Sequence, residues 1–491
     1  MKKSRVFLII LTLLVIVGVS LIYFGRFEPV NLPINVMIPV NTTQDVYAYL
    51  DDQVNLHEPL LSEADQQRYR QQFLARYFYP WSDTLSLGKF CITADDQNCY
   101  SILTMQQEVI EQWRGKSGYD EYYSDRDSDW LEQWVDNMDL VSFPNAVQAN
   151  WPLTGIVIHN SALRQMPGEG PGYARIEQPG EGYPFDYLQQ SAIWLGTPIQ
   201  IIHYAKDQQW LLVEAAGLIG WIKRDDVAYV DETFIKTWRQ ADEWLTLTKH
   251  KTTLTLDDSA HKPFTLYLGT LLPVQGSHVL LPVCGSDRFA KVMRVMPNPH
   301  VLQRWPLAPT PAQFANLIND LLGMPYGWGG IGFNDDCSGT LRNLWAAFAL
   351  WLPRNSYSQA HLIGKIYPLP IDDYSPAVRQ QLLQSSLRVP AHNRPSLIPF
   401  LTLISFGNTP QSINHIGLYV GHSKVNDMII FQNIWGLNLV DRRRERSLGR
   451  AIIGRAVLST LDAGKGIQVG GAHVRLVSQW EKPGLNVTVL E

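Results

Sequence analysis

The chain opens on an uncharged, mostly apolar run of 19 residues, 6–24, which follows a basic start formed by Lys2, Lys3 and Arg5. About 20 such residues cross a bilayer as a helix, and the basic start favours a cytoplasmic amino terminus. No small-x-small cleavage site follows Phe24, which favours an uncleaved membrane anchor over a secretion signal. Either kind of segment, placed at residues 1–30, would export the rest of the chain.

Helical periodicity follows between residues 40 and 144. The stretch LLSEADQQRYRQQFLARYF begins at a predicted N-cap, Ser62, has acidic residues in its first turn and then carries apolar residues at helical intervals. A second amphipathic stretch runs from Ile102 to Trp113. We interpret residues 40–144 as a helical accessory domain, because no group of side chains in it assembles chemistry.

Short β runs separated by Gly, Pro and Asp replace this pattern at residues 145–235. Their lengths, the turn before Trp210 and the Gly220-Trp221 pair resemble the bacterial SH3-like domain. A second, less regular set predicts another small barrel at residues 240–300. The Pro-rich stretch NPHVLQRWPLAPTPAQ then predicts a linker into a last domain at residues 310–491.

The most informative segment surrounds Cys337. A Gly-rich loop, YGWGGIGFNDD, precedes it and an apolar helical run follows it, so Cys337 is predicted to begin a helix that Asn334, Asp335 or Asp336 caps. The positive end of a helix dipole favours a thiolate, and the sequence therefore predicts a nucleophile with a lowered pKa. The first free N–H groups of the helix would receive an oxyanion.

A thiolate needs a proton-transfer partner, and INHIGLYVG supplies His415 at the start of a β run. The next apolar run, MIIFQNIW, would pair back as a neighbouring strand. Alternation along this hairpin places Gln432 beside His415, where its amide oxygen would hold the imidazole N–H. A cysteine, a histidine and a neutral amide form a known arrangement of cysteine peptidases.

The motifs YGWGG, DDCSG, LPRNSYSQ and NHIGLYVG, in this order, resemble the NlpC/P60 family of cysteine peptidases that act on bacterial cell walls. The resemblance implies an α+β chain: a papain-like C-terminal catalytic domain preceded by two SH3-like barrels, a helical domain and one membrane or signal helix. It also implies Cys337 as nucleophile, His415 as general base and Gln432 as third member. The third position is often histidine in the family, so His422 competes with Gln432.

Further site residues follow from the same resemblance. Tyr326 and Asp336 match positions that line the pocket and meet a free amine of the substrate. Ser338 matches the serine after the nucleophile, and Arg354 and Ser356 match the loop after the first helix. The first barrel of multi-domain relatives closes one end of the cleft, and in its long Gly-, Tyr- and acid-rich loop we predict that Phe185 and Asp186 contact substrate, Asp186 by binding its ammonium group.

Composition and motifs also bear on the partners and cofactors that we expect. The net charge of −5 comes from 46 acidic and 41 basic residues interspersed along the chain, which predicts no nucleic-acid partner. No metal-ligand motif and no nucleotide motif in its required setting occurs, so we expect neither a metal nor a cofactor. Of the four cysteines, Cys91 and Cys99 would either close a short disulfide loop or remain free thiols.

These observations predict a cysteine endopeptidase of the cell envelope, either anchored in the inner membrane and facing the periplasm or secreted into the periplasm. The resemblance implies that it hydrolyses the γ-D-glutamyl–diamino acid bond of peptidoglycan stem peptides with a free amino-terminal L-Ala. Two alternatives stay open: a non-catalytic protein that binds the cell wall, and an amidase or acyltransferase on the same fold.

Overall fold

The structure is a computed structural model. It describes residues 33–82, 89–90, 100–116, 118–126, 129–143, 153–254, 263–369, 397–407, 412–425, 427–441, 443–444, 446–464, 467, 474–477 and 485–490. The predicted membrane or signal segment, 1–30, and the Cys91–Cys99 pair lie outside these residues. None of the helices within the described ranges is long and apolar enough to cross a membrane.

Seven α-helices and 24 strands make up the described part of the chain. The helices are α1 (Glu63–Tyr77), α2 (Ile102–Trp113), α3 (Asp129–Met138), α4 (Glu232–Arg239), α5 (Pro311–Leu321), α6 (Cys337–Ala346) and α7 (Ser356–Leu362). The strands are β1 (Ile34–Met37), β2 (Lys89–Phe90), β3 (Tyr100–Ser101), β4 (Leu153–Val157), β5 (Ser161–Arg164), β6 (Gln189–Ile193), β7 (Pro198–Tyr204), β8 (Trp210–Ala215), β9 (Leu218–Lys223), β10 (Val227–Tyr229), β11 (Glu243–Leu247), β12 (Lys251–Leu254), β13 (Phe264–Tyr267), β14 (Leu271–Gln275), β15 (His278–Cys284), β16 (Ala290–Val295), β17 (Leu302–Arg304), β18 (Gly364–Leu369), β19 (Thr402–Gly407), β20 (Ile413–His422), β21 (Met428–Asp441), β22 (Arg446–Thr460), β23 (Val474–Val477) and β24 (Leu485–Leu490).

The amino-terminal segment belongs partly to the last domain. Ser62 caps α1 as the sequence predicts, by accepting a hydrogen bond from the Asp65 N–H group. However, β1 pairs in parallel with β22, and the Val46 N–H group donates to the Asn319 side chain at 2.9 Å. Residues between 40 and 50 therefore pack on the last domain, whereas helices α2 and α3 share a core with the barrel that follows them.

Two β units occupy the middle of the chain. The first is a seven-stranded sheet in the order β10-β4-β7-β8-β9-β5-β6, and the second is a five-stranded sheet in the order β16-β15-β14-β11-β17. Strand β17 lies in the stretch that the sequence predicted as a linker. It pairs with β11 because Leu302 and the following Trp305 and Leu307 are apolar side chains that become buried there.

The last domain combines an eight-stranded sheet with three helices, so the described chain has the mixed α+β fold that the sequence predicts. The sheet order is β1-β22-β21-β20-β19-β24-β18, with β23 on the edge of β21. Helix α6 packs against β20 and β21, and helix α7 packs against β20. The core between α5 and this sheet contains the stacked rings of Phe314, Phe348 and Phe400.

Glu214 on β8 is a buried acid in the first barrel. Its Oε1 accepts a hydrogen bond of 3.0 Å from the Gly217 N–H group, and its Oε2 has no hydrogen-bond partner among the described residues. Burial raises the pKa of Glu214 to about 8, because the charged carboxylate would lose its hydration. The side chain is therefore neutral in the folded protein near neutral pH.

We predict that this acid makes the protein less stable as the pH rises from about 4.5 toward 8. In that range the unfolded chain has released the proton and the folded chain keeps it, so the free energy of unfolding falls by about 1.4 kcal/mol per pH unit. Glu214→Gln should remove this contribution, as measured by urea unfolding across the range. Glu58→Gln, at an exposed site, is the matched control, and an unchanged pH slope in Glu214→Gln would contradict the prediction.

Candidate active site at the start of helix α6

Cys337 is the first residue of α6, and the residue before it caps the helix. The Asp336 carboxylate accepts a hydrogen bond of 2.8 Å from the Gly339 N–H group, which selects Asp336 from the three capping candidates in the sequence. The sulfur of Cys337 thus lies where the free N–H groups of a helix begin.

The Gly-rich loop before this helix lies directly against the barrel. Gly329 and Gly330 have positive φ angles, and a Cβ atom at either position would lie 2.5 Å from the backbone of Gln189 or Ala192. Only glycine fits such a close approach without displacing the backbone. The glycines of YGWGG therefore hold the barrel and the last domain together next to Cys337.

Hydrogen-bond donors enclose the Asp336 carboxylate. The Arg354 guanidinium donates to both of its oxygens, at 3.0 and 2.8 Å, and the Gly329 N–H group and the Ser338 hydroxyl each donate at 3.0 Å. Burial disfavours the charged carboxylate, but Arg354 and these hydrogen bonds outweigh that effect and hold the pKa of Asp336 below its usual value. Arg354 Nε also donates to the Ser191 hydroxyl of the barrel at 2.9 Å.

The sequence predicted that Asp336 meets a substrate amine, and the structure gives its side chain other partners. Its five hydrogen bonds fill the roughly four lone-pair positions that a carboxylate offers. An amine reaching Asp336 would have to displace one of these donors. Ser338 is held in the same way, since its hydroxyl donates to Asp336 and accepts from Arg354 at 3.1 Å. In the free protein both side chains support the start of α6.

His415, near the start of β20, has one ring nitrogen fixed by a buried amide. His415 Nε2 lies 2.6 Å from Gln432 Oε1, and Gln432 Nε2 donates to the Ser459 hydroxyl at 2.7 Å. Because Ser459 uses the amide N–H, the amide oxygen faces the ring and Nε2 carries the proton. His422, the competing candidate, instead contacts the Tyr419 hydroxyl at 2.9 Å. The partner of the His415 ring is thus Gln432.

The strand that carries His415 reaches the Cys337 sulfur. The sulfur accepts hydrogen bonds from the backbone N–H group of Ile416 on this strand and from that of Ser338. The predicted lowering of the thiol pKa is wrong for this structure. Burial raises the pKa of Cys337 to about 12, with a further rise from the Asp336 charge, and these effects exceed the contribution of the N–H groups. The free protein therefore holds a neutral thiol.

The imidazole is neutral as well. Burial lowers the pKa of His415 to about 4, although the hydrogen bond with Gln432 acts in the opposite direction. With Nε2 protonated toward Gln432, Nδ1 is the ring nitrogen that can accept a proton. The site thus contains a neutral thiol and, on the strand that reaches its sulfur, a neutral imidazole, the two groups that general-base activation of a nucleophile requires.

Phe185 and Tyr326 lie where the barrel meets the last domain. The Phe185 ring contacts Tyr326, Trp328 and Trp435, with ring centroids 6.1, 5.5 and 6.2 Å apart. Burial raises the pKa of the Tyr326 phenol, which therefore remains neutral. These aromatic rings form a stiff wall between the two domains.

Asp186 is not available to a substrate, contrary to the sequence prediction. Its carboxylate is 2% exposed and accepts from Arg164 Nη1 at 3.0 Å and from the N–H groups of Gly172 and Leu188 at 2.8 and 3.0 Å. A buried ion pair with these extra hydrogen bonds stabilises the loop itself. The acidic residue of this loop that faces the cleft is Glu181, which the sequence analysis missed and which accepts from the Tyr187 hydroxyl at 2.7 Å.

A cleft of about 1040 Å³ opens over Cys337. Its walls come from three parts of the chain: helix α2, the first barrel and the last domain. The predicted site residues on these walls are Tyr326, Asp336, Cys337, Ser338, Arg354 and Ser356, and Asn414 next to His415 lines the cleft as well. The position of α2 on the cleft could not be predicted, since an amphipathic pattern does not show what the polar face of a helix covers.

Comparison with known protein families agrees with this architecture. The family described as "NLPC_P60 stabilising domain, N term" matches residues 10–143, the SH3 domain of SH3b1 type matches residues 171–223, and the NlpC/P60 family matches residues 323–434. No curated protein sequence matches the chain. The matches at residues 171–223 and 323–434 confirm the predicted SH3-like and NlpC/P60 resemblances.

Comparison with solved structures covers nearly the whole chain. A structure described as a novel NlpC/P60 endopeptidase from Photobacterium damselae subsp. piscicida is 34% identical, with a TM-score of 0.84, over 93% of this chain and 99% of that one. An NlpC/P60 family protein from Bacillus cereus ATCC 10987 is 16% identical, with a TM-score of 0.39, over 62% of this chain and 98% of that one. From the 34% identity over nearly its full length, the chain belongs to the NlpC/P60 family, whose members are cysteine peptidases.

Proposed function

We propose that the protein is a cysteine endopeptidase that hydrolyses the γ-D-glutamyl–diamino acid bond of peptidoglycan stem peptides with a free amino-terminal L-Ala. The observation that carries the proposal is the cleft over Cys337, whose sulfur is reached by the strand that carries a His415 ring bound to Gln432 at 2.6 Å. Membership of the NlpC/P60 family supports peptidase chemistry on a cell-wall peptide. Family membership does not specify the bond that is cleaved or the requirement for a free L-Ala, and both are part of our proposal.

The reaction begins with the neutral pair of thiol and imidazole. His415 Nδ1 takes the thiol proton as the Cys337 sulfur attacks the γ-D-glutamyl carbonyl carbon, and a tetrahedral intermediate forms. The first N–H groups of α6 stabilise its oxyanion, since the helix start carries a partial positive charge. His415 then protonates the leaving amine, and water activated by the same ring hydrolyses the thioester.

Substrate selection is assigned to the wall that the barrel contributes. Glu181 and Tyr187 line the cleft and are joined by a hydrogen bond of 2.7 Å. A carboxylate at this wall attracts the free ammonium group of L-Ala, which a longer peptide or an acylated amine lacks. Glu181 thus takes the role that the sequence analysis assigned to Asp186.

The compartment follows from the substrate. Peptidoglycan lies outside the cytoplasm, and the apolar run at residues 6–24 fits either an inner-membrane anchor or an export signal. We therefore place the protein in the cell envelope, with the cleft facing the periplasm. Membrane anchoring is part of this proposal.

We predict that Cys337→Ala lowers the release of L-Ala-D-Glu from L-Ala-γ-D-Glu-diaminopimelate by about 10⁴-fold or more, because the sulfur is the nucleophile. Product release is followed by chromatography, and thermal unfolding checks that the variant remains folded. Cys284→Ala, at an exposed cysteine away from the cleft, is the matched control and should keep the parental rate. Parental activity in Cys337→Ala would contradict the role of Cys337 as the nucleophile. An absence of cleavage by the parent protein would favour the wall-binding hypothesis, and cleavage of other acyl groups by the parent would favour an amidase or acyltransferase.

We predict that alkylation of Cys337 by iodoacetamide accelerates about tenfold per pH unit up to about pH 10, since only the thiolate reacts and burial holds the pKa of this thiol at about 12. The reaction is measured by mass spectrometry of the peptide that contains Cys337, and exposed Cys284 reports the reagent in the same sample. A rate at Cys337 that stays constant between about pH 6 and 8 would indicate a preformed thiolate and contradict the neutral pair.

A further inference from the structure

Helix α2 presents one face to the cleft and the other to the barrel. The residues of this helix and of the turn after it that line the cleft include Met105, Glu108, Val109, Gln112, Trp113 and Lys116. Most of them follow the spacing of three and four residues that places side chains on one side of a helix. Met105, Val109 and Trp113 also pack, with Ile102 and Ile110, in the core that α2 and α3 share with the barrel. The N-terminal domain therefore supplies a wall of the site.

Two indole groups hold this wall in place. Trp221 of the barrel donates its Nε1–H to Gln106 on α2 at 2.9 Å, and Trp113 on α2 donates its Nε1–H to Gln165 of the barrel at 2.9 Å. Trp221, Gln106 and Trp113 are buried, and Gln165 is half-buried. A buried hydrogen bond restricts geometry strongly, because breaking it leaves a polar group unsatisfied. The wall is thus a preorganised surface.

The charges on the cleft walls are unevenly compensated. The cations that line the cleft within the described chain are Arg354 and Lys116. Arg354 forms a buried ion pair with Asp336 at 2.8 Å, so its charge is neutralised. Lys116 is exposed and makes no salt bridge with a described residue, and its Nζ lies 5.9 Å from the centroid of the Trp113 ring. It is therefore free to receive an anion.

We propose that Lys116, just after helix α2, forms a carboxylate-binding subsite of the cleft, whereas Glu181 lies on the part of the lining that the barrel contributes. This inference rests on the proposed function, because the stem peptide carries the L-Ala amine, a second amine on diaminopimelate, and carboxylates on its glutamyl and diaminopimelate residues. The Glu181 carboxylate for the amine and the Lys116 ammonium group for a carboxylate orient such a peptide across the nucleophile. A cation–π contact with Trp113, which lines the cleft as well, holds the Lys116 ammonium group near this part of the lining.

The test measures peptide binding by calorimetry with the inactive Cys337→Ala protein, with and without Lys116→Ala. Three probes are used: L-Ala-γ-D-Glu-diaminopimelate, the same peptide amidated on diaminopimelate, and the same peptide amidated on the glutamyl α-carboxylate. We expect Lys116→Ala to weaken binding of the unmodified peptide about three- to fivefold at low salt, as for an exposed charge pair. One of the two amidated peptides should bind the protein that keeps Lys116 more weakly than the unmodified peptide does, by the same factor. The Lys116→Ala substitution should then not weaken the binding of this amidated peptide further.

Lys236→Ala is the matched control, at an exposed lysine of α4 that does not line the cleft, and should leave all three affinities unchanged. Equal effects of Lys116→Ala on all three peptides, or no effect on any, would overturn the subsite. Cleavage of the unmodified peptide by the parent protein is measured in parallel. Binding that depends on Lys116 without cleavage by the parent would leave the subsite standing and refute the proposed activity, and an absence of binding to any probe would refute both.

Discussion

The buried ion pair between Asp336 and Arg354 is the constraint on which the site depends. Two charged groups in an apolar interior cost several kcal/mol of hydration each, and only close pairing with further hydrogen bonds offsets that cost. Here both carboxylate oxygens receive the guanidinium, and backbone and hydroxyl donors complete the set. Since Arg354 also binds Ser191, one pair joins the start of α6 to the barrel.

The buried ion pair also affects the ionisation of the neighbouring Cys337 thiol. Placing the Asp336 charge and an apolar environment beside Cys337 opposes ionisation of the thiol, and the helix start does not compensate. The proposed nucleophile therefore needs a base, and Gln432 and Ser459 fix the proton on Nε2 of the His415 ring. Burial of this region thus has two results: the ion pair supports the start of α6, and the Cys337 thiol and the His415 imidazole are both neutral in the free protein.

The parts of the site that follow from local pattern could be predicted, and those that depend on tertiary partners could not. Helical and strand periodicity placed Cys337 at a helix start and Gln432 beside His415, because alternation along a strand is a local property. The prediction that Asp186 binds substrate failed because its carboxylate pairs with Arg164, and only the folded loop shows that both are buried. The raised thiol pKa, the pairing of β1 with β22 across about 400 residues and the position of α2 on the cleft likewise depend on packing that no local pattern encodes.

We propose that a cleft built from three parts of the chain holds a stem peptide with its scissile carbonyl over position 337. A crystal structure of the Cys337→Ala protein with bound L-Ala-γ-D-Glu-diaminopimelate would show this placement. We expect the γ-carbonyl carbon within about 3.5 Å of the place of the sulfur, the amine at Glu181 and the His415 ring still bound to Gln432. A peptide bound outside this cleft, or bound within it with the γ-carbonyl turned away from α6, would refute this placement.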